Sequence, residues 1–329
     1  MTRTLRQLSH FLPMLAFIVI VLGAYVRLSD AGLGCPDWPG CYGHVTVPSQ
    51  DANVHLQDPD WHTRPLEPGK AWREMIHRYL ASTLGLGIVV LAAASLRGKP
   101  RRAAGVSPVV FLLVPLVALQ GLLGMWTVTL LLKPLVVSAH LLGGLATLSL
   151  LWWNLLSVRG LKPLAATRAG VYGLARLAVL VLVLQIFLGG WTSANYAALA
   201  CTDFPTCQGR WWPRTDFHEA YVLWRGLGIN YEFGVLDTPA RTAIHVGHRL
   251  GALLATLVIA STALLAWRSH QPRLRRVASC ILAALALQVS LGITNVLGGL
   301  PLPVAVAHNG VAAVLLLTLL TLVHSTRRN

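Results

Sequence analysis

The sequence predicts an all-α polytopic membrane protein whose eight transmembrane helices form two four-helix bundles, related by a pseudo-two-fold axis along the membrane normal. Composition is the first reason: 55% of the 329 residues are hydrophobic and only 12% are charged, whereas about a quarter of a soluble domain is charged. The second reason is a set of eight long apolar segments, and the third is an internal repeat. Together they exclude a soluble globular protein.

Eight apolar segments are long enough, at about 18 residues or more, to cross a bilayer as helices. They lie near residues 11–29, 74–97, 107–131, 134–158, 172–195, 241–267, 277–298 and 302–324. The first segment is not expected to be a cleavable signal peptide, because no small-residue cleavage site follows it.

Basic residues mark the predicted cytoplasmic side. The chain has 27 basic and 12 acidic residues and a formal net charge of +15. Basic groups without any acid stand at the start, after every second apolar segment and at the end, within 3–6, 97–102, 159–176, 268–276 and 327–328. The positive-inside rule therefore predicts a multi-pass protein of the cell membrane with both termini cytoplasmic. Charge confined to such short loops indicates a lipid bilayer as partner and argues against nucleic acid.

Two long segments predicted to face the outside contain most of the acids and cysteines. Eleven of the twelve acidic residues and four of the five cysteines fall within 30–73 and 196–240. The cysteines lie in CPDWPGC (Cys35, Cys41) and CTDFPTC (Cys201, Cys207). Each pair, with a proline turn between its members, can close a disulfide in an oxidising compartment. Two reduced pairs, or one four-thiolate zinc site, are the alternatives.

The two cysteine loops belong to an internal repeat. A shift of 166 residues superposes Cys35 on Cys201, Asp37 on Asp203 and Cys41 on Cys207, and a shift of 168 superposes Gln120, Gly124 and His140 on Gln288, Gly292 and His308. The repeat predicts two domains, an amino-terminal half over 1–165 and a carboxyl-terminal half over 166–329. Because each half has an even number of spans, both insert with the same orientation.

Four histidines stand a few residues inside the spans that descend from the outer face: His77, His140, His248 and His308. With a rise of about 1.5 Å per residue, all four lie at a similar shallow depth. Opposed imidazoles from two helices are the axial ligands of a haem iron, and four-helix bundles commonly hold such cofactors. Zinc would need more ligands than each half offers. The spacing therefore predicts one haem site in each half, with packing histidines as the alternative.

Small and basic residues accompany these histidines. The segments QGLLGMWT, QIFLGGWT and QVSLGITN place glycines at comparable depths in three spans, where they permit close helix packing or leave room for a planar ligand. Arg78 and Arg249 directly follow two of the histidines and are predicted to contact haem propionates, with snorkelling to water as the alternative. Cys280, in the seventh span, is expected to be a packing residue. The loop histidines are expected to be solvated; these are His44, His55, His62 and His218.

The two histidine-arginine segments differ at one position. EMIHRYLA begins with Glu74, and HVGHRLGA begins with His245. A carboxylate three residues before His77 lies on the same helix face and is costly in an apolar span, so Glu74 is a candidate reactive residue. A carboxylate that merely pairs with Arg78 is the structural alternative. No role can be assigned to His245.

The order RLSDAGLGCPDWPGC, EMIHRYLA, VVSAHLLGG, CTDFPTCQG, HVGHRLGA and VAVAHNGVA closely resembles the haem A synthase family of cytochrome oxidase assembly, in its cysteine-containing bacterial type. The resemblance covers nearly the whole chain. It implies oxidation of the C8 methyl group of haem O to a formyl group, with Glu74 as the important acid. It further implies a substrate haem between His77 and His140, and a haem b cofactor between His248 and His308. Haem O synthase and cytochrome oxidase subunits are the partners that it implies.

Two other functions also use parts of this pattern. A non-catalytic di-haem quinol cytochrome would need four histidines, but it would not need an acid in one apolar site. A quinone-linked thiol oxidase would use the outer cysteines, but it would not need four histidines at one depth. The electron donor, the source of the formyl oxygen and the oligomeric state, including a homo-oligomer, are left open by the sequence.

Overall fold

A computed structural model describes residues 3–49, 65–96, 107–161, 163–164 and 169–327. Within these ranges the chain forms nine helices: α1 (Arg3–Leu28), α2 (Pro68–Leu96), α3 (Val110–Thr129), α4 (Pro134–Val158), α5 (Ala169–Ala194), α6 (Phe217–Ala220), α7 (Thr238–Trp267), α8 (Pro272–Leu297) and α9 (Leu302–Thr326). All except α6 are long and apolar enough to cross a membrane. The predicted all-α fold with eight spanning helices is therefore confirmed.

Several helices begin before the apolar segments that predicted them. The helix α7 begins at Thr238 rather than near 241, because the Asp237 side chain accepts a hydrogen bond from the Ala240 N–H at 3.0 Å and Pro239 follows in the first turn. The helix α2 begins at Pro68, six residues before Glu74. Hydropathy alone does not detect such polar first turns. The basic group at 97–102 and the loop residues His55 and His62 lie outside the described residues.

Each half closes into a ring of four helices. In the amino-terminal half, α1 packs on α2, α2 on α3, α3 on α4, and α4 on α1; in the carboxyl-terminal half, α5, α7, α8 and α9 follow the same order. Between the halves, α1 packs on α9, α4 on α5, and α4 on α9. The repeat maps α1 onto α5 and α4 onto α9, so these contacts map onto one another. The pattern fits two bundles related by a two-fold axis.

Polar contacts join the two halves at both ends of the interface. At the outer end, Arg27 Nη2 donates to the Ser193 carbonyl at 2.6 Å, and the two residues are 166 apart. At the other end, Trp152 Nε1 donates to Thr321 Oγ1 at 2.9 Å, with a separation of 169 residues. A single apolar cluster runs between these contacts and includes fully buried side chains of both halves, such as Leu12, Leu148, Ile259 and Leu319. The two halves therefore share a continuous core.

The outer segment of the carboxyl-terminal half crosses onto the amino-terminal half. The Tyr231 N–H donates to the Leu131 carbonyl at 3.0 Å, in the turn between α3 and α4. Beside it, Lys133 Nζ donates to the Gly226 carbonyl and lies 3.5 Å from the ring centroid of Trp224. Lys133 is only 2% exposed. The crossing segment, residues 221–236, therefore covers the outer end of α3 and α4.

One packing prediction is wrong. Cys280 was expected in the helix packing, but its side chain is exposed on α8. Since α8 is apolar along much of its outer surface as well as its inner one, hydropathy did not distinguish the two faces.

Candidate functional site

The four intramembrane histidines share one local arrangement. Each imidazole lies against a glycine of the preceding spanning helix, and a Cβ atom added at that glycine would lie 2.9 to 3.4 Å from the imidazole Cε1 atom. The pairs are Gly23 with His77 (2.9 Å), Gly124 with His140 (3.4 Å), Gly189 with His248 (3.2 Å) and Gly292 with His308 (3.2 Å). Glycine thus makes room for the imidazole at four equivalent places.

The structure brings the histidines together in the two predicted pairs. The helices α2 and α4 stand at opposite corners of the amino-terminal ring, and α7 and α9 at opposite corners of the other. Across these rings, His77 lies near His140, and His248 lies near His308. All four side chains are half-buried. Each half therefore directs two imidazoles from opposite helices into its interior.

The residues present fit a haem iron better than a zinc ion. Among the described residues, no group of three or more His, Cys, Asp or Glu side chains could hold a metal ion. The Nδ1 atoms of His77, His140 and His308 are buried without a hydrogen-bond partner, although buried polar atoms normally have one. A haem needs only two axial imidazoles and an apolar surrounding. Each half offers both.

Glutamines contact the histidines in one half only. Gln185 of α5 places Nε2 at 2.9 Å from His248 Nδ1 and donates to the His248 carbonyl at 3.0 Å. Gln288 of α8 places Nε2 at 3.2 Å from His308 Nε2. In the amino-terminal half, the Gln120 amide lies against Gly143 instead, and its Nε2 is buried without a partner. The carboxyl-terminal imidazoles are therefore anchored by side-chain amides.

Glu74 connects α2 to the first cysteine loop. Its Oε1 accepts from Arg78 Nη2 at 2.6 Å, and its Oε2 accepts from the Cys35 N–H at 3.0 Å. The carboxylate side chain is 6% exposed. At the equivalent position, His245 Nδ1 lies 3.0 Å from the Ala197 carbonyl. Glu74 bonds an outer loop to α2, and His245 bonds one to α7. Only Glu74, however, places a carboxylate within one turn of His77, one of the four paired histidines.

The two arginines also bind the cysteine loops. Arg78 Nη1 donates to the carbonyls of Asp37 at 3.0 Å and Gly40 at 2.5 Å. Arg249 donates to the Asp203 carbonyl at 2.8 Å and the Thr206 carbonyl at 2.7 Å, while its Nε is buried without a partner. These bonds give each arginine a structural role that the sequence did not indicate. The predicted propionate contacts stay predictions.

The cysteine loops have the same internal geometry. Disulfides join Cys35 to Cys41 and Cys201 to Cys207, so the structure has no four-thiolate cluster. In the second loop, Asp203 accepts hydrogen bonds from Thr206 Oγ1 and from the N–H groups of Gln208 and Gly209. These donors lower the pKa of Asp203 to about 2. Asp37 accepts the equivalent bonds from the N–H groups of Tyr42 and Gly43.

Sequence reasoning found the four histidines but missed some of the residues around them. Gly23 was not singled out, although it precedes Gly189 by the 166-residue shift of the repeat. Tyr221 was also missed: a Cβ atom at Gly247 would collide with its hydroxyl, so this tyrosine covers α7 beside His248. No local signal marks Tyr221. The loop residues His44 and His218 are exposed, in agreement with the expectation that they are solvated.

Comparisons with known proteins agree on one family. A family model described as cytochrome oxidase assembly protein matches residues 6–320. The chain is 48% identical to the haem A synthase of Shewanella oneidensis over 309 residues. This aligned region covers 93% of this chain and 91% of that protein. It is 30% identical over 335 residues to the haem A synthase of Paracoccus denitrificans, covering 92% and 82% of the two chains. For the haem A synthase of Granulibacter bethesdensis, identity is 29% over 331 residues, covering 94% and 84%.

Proposed function

The chain belongs to the haem A synthase family of cytochrome oxidase assembly proteins, and on this premise we propose that it oxidises the C8 methyl group of haem O to the formyl group of haem A. The proposal rests on one difference between the two histidine pairs, which are otherwise equivalent. Both halves contain a histidine pair, but only the amino-terminal pair has a buried carboxylate, Glu74, one turn away.

The inequality assigns a role to each half. In the amino-terminal half, 1–165, His77 and His140 bind the substrate haem O. In the carboxyl-terminal half, 166–329, His248 and His308 bind a haem b cofactor, which when bound supplies one-electron transfer. The amide contacts of Gln185 and Gln288 support a permanent cofactor on the carboxyl-terminal side.

The reaction requires two successive two-electron oxidations of the substrate. Each adds one oxygen atom to the methyl carbon: the first gives hydroxymethyl, and the second gives the geminal diol, which loses water to leave the formyl group. With dioxygen as co-reactant, each step also takes up two electrons and two protons and releases water; with water as the oxygen source, each step releases two electrons and two protons. Glu74 accepts protons released in these steps or stabilises positive charge that develops at the methyl carbon. Arg78 donates to this carboxylate at 2.6 Å.

The location follows from the charge pattern. Both termini and the basic loops face the cytoplasm, and the disulfide loops face the oxidising outer side of the cell membrane. Haem O arrives from haem O synthase, and haem A passes on to cytochrome oxidase subunits. Both transfers fit a substrate that is itself soluble in the bilayer.

Extraction and mass identification of the haems in the purified protein tests this function. We expect haem b together with haem O, haem A or a hydroxylated intermediate. Haem b alone at two sites would instead support the di-haem quinol cytochrome. A protein without haem whose outer cysteines turn over with quinone would support the thiol oxidase.

A further inference from the structure

The two halves differ in how their imidazoles are held, and this difference has a consequence beyond the assignment of sites. In the carboxyl-terminal half, both histidines contact a glutamine amide: His248 contacts Gln185, and His308 contacts Gln288. In the amino-terminal half, the one glutamine at an equivalent position, Gln120, lies against Gly143 instead, and its Nε2 is buried without a partner. The imidazoles that we assign to the cofactor therefore contact side-chain amides, and those assigned to the substrate do not.

The repeat explains the origin of the difference. Each histidine lies against a glycine, and the residue four positions before that glycine is one turn away on the same helix. This residue is Val19 before Gly23, Gln120 before Gly124, Gln185 before Gly189 and Gln288 before Gly292. Val19 offers His77 only its main-chain carbonyl. Gln120 is the correct residue type, but its amide lies against Gly143 and not on His140.

A glutamine amide can fix an imidazole in either tautomer. Its Nε2 donates to an unprotonated ring nitrogen, and its Oε1 accepts from a protonated one after a half-turn of the amide. The Oε1 atoms of Gln185 and Gln288 are both buried without a partner. The half-turn would let each Oε1 accept from the imidazole, but Gln185 would lose the bond from Nε2 to the His248 carbonyl. For His248, which Gln185 contacts at Nδ1, the second form leaves Nε2 for the iron; for His308, which Gln288 contacts at Nε2, it leaves Nδ1. Such outer contacts orient a ligating histidine and raise its basicity.

We propose that Gln185 and Gln288 are positioning residues that hold His248 and His308 for a permanently bound haem, and that the absence of such contacts at His77 and His140 keeps the amino-terminal haem exchangeable. An enzyme whose substrate and product are both haems must release one of them in every cycle. Strong anchoring of both ligands would oppose that release. This inference rests on the proposed function, because it takes the haem assignments of the two halves as given.

The test compares four single variants of the full-length protein purified in detergent. Gln185→Leu and Gln288→Leu remove the amide and are expected to weaken haem b binding by about 10- to 100-fold. Gln120→Leu is the matched control and should leave the haem b content unchanged. Gln185→Glu keeps an acceptor and should retain haem b, while its anionic oxygen shifts the midpoint potential downward and alters the low-spin electron paramagnetic resonance signal.

A gain-of-function variant tests the other half of the proposal. Transfer of haem to excess apomyoglobin should show a fast phase from the amino-terminal site and a slow phase from the carboxyl-terminal site, identified by the haem type that leaves. Val19→Gln supplies the missing amide beside His77 and should slow the fast phase. Gln185→Leu should accelerate the slow phase.

The outcomes separate this inference from the proposed function. If wild-type protein contains no haem b, the proposed function itself fails. If wild-type protein contains haem b, but the Gln185 and Gln288 variants match Gln120→Leu in haem content, potential and transfer rate, the positioning role is wrong. Retention of haem b by Gln185→Glu shows that the loss in Gln185→Leu is not a general folding defect.

Discussion

The amino-terminal and carboxyl-terminal halves place histidine, arginine and disulfide loop at the same points and differ in what surrounds them. His77 and His248 each lie against a glycine, and Arg78 and Arg249 each hold a cysteine loop. The surroundings differ at Glu74, which is His245 in the other half, and at the glutamines. The repeated residues therefore build the same local frame in each half, and the unequal residues distinguish the two halves.

The helix α7 is covered directly before its histidine. In the carboxyl-terminal half, Tyr221 covers α7 at Gly247, directly before His248. The equivalent position in the amino-terminal half is Ile76, whose side chain is 45% exposed. Tyr221 thus covers the half assigned to the cofactor at this point.

The largest expected effect comes from removing the carboxylate. Glu74→Gln keeps an acceptor for only one of the two donors, Arg78 and the Cys35 N–H, because its Nε2 cannot accept. It also cannot exchange a proton, so formyl formation should fall by about 10²- to 10⁴-fold. Haem content should stay close to that of the wild type. The measurement is conversion of haem O by chromatography and mass spectrometry. His245→Gln is the matched control and should convert haem O normally; full activity in both Glu74→Gln and Glu74→Ala would contradict the role of Glu74.

Replacing Arg78 and replacing Arg249 should destabilise the protein by different amounts, although the two arginines occupy equivalent positions. Arg78→Met removes both the loop contacts and the partner of the buried Glu74, and should lower the free energy of unfolding by about 3 kcal/mol. Arg249→Met removes only loop contacts and should cost about 1 kcal/mol. Unfolding in detergent, followed by tryptophan fluorescence, measures both. Equal losses would show that Glu74 gains little from Arg78.

Alanine at Gly23 should displace the imidazole of His77 more than alanine at Gly124 displaces that of His140. Gly23→Ala places a Cβ at 2.9 Å from His77 Cε1 and should weaken substrate-haem binding by about 1 kcal/mol, because the imidazole must move. Gly124→Ala, at 3.4 Å from His140 Cε1, should have a smaller effect. Titration of each variant with haem O, followed by absorbance, gives the two affinities. A stronger effect at Gly124 would reverse this ranking.

The smallest expected effect is a loss of stability of the second cysteine loop at acid pH. Because the pKa of Asp203 is lowered to about 2, its contribution to the second loop is complete above its ordinary pKa near 3.8. That contribution is lost as the pH falls from about 4 towards 2. Hydrogen exchange of the Gln208 and Gly209 amides, corrected for intrinsic rates, should show this loss. In Asp203→Asn the same amides should show no such dependence on pH.

The eight helices and the two histidine pairs could be predicted because their signals are local or periodic. Apolar length predicts a span, and His77, His140, His248 and His308 recur at one depth in a repeated frame. Gly23 was within reach of the same reasoning, since the repeat shift from Gly189 identifies it. The exposure of Cys280 could not be predicted in this way, because the sequence of a uniformly apolar helix does not show which of its faces meets lipid.

Long-range partners could not be predicted in the same way. An arginine near the membrane surface can meet a propionate, water or a main-chain carbonyl, and the sequence does not distinguish them. Arg78 bonds to carbonyls about forty residues earlier in the chain, and Lys133 bonds to Gly226 at a separation of 93 residues. The choice between such partners depends on how the outer loops fold over the helix ends.

Because the crossing segment, residues 221–236, packs on the amino-terminal half, that half cannot complete its contacts until this later segment has been synthesised. The ribosome delivers the amino-terminal half first, yet the outer rim of that half includes Tyr231 and the carbonyl that Lys133 binds. The rim is completed only after the fifth span has inserted and this segment has been translocated. An amino-terminal half synthesised alone would therefore leave Leu33, Val128 and Leu132 without the tyrosine that packs against them.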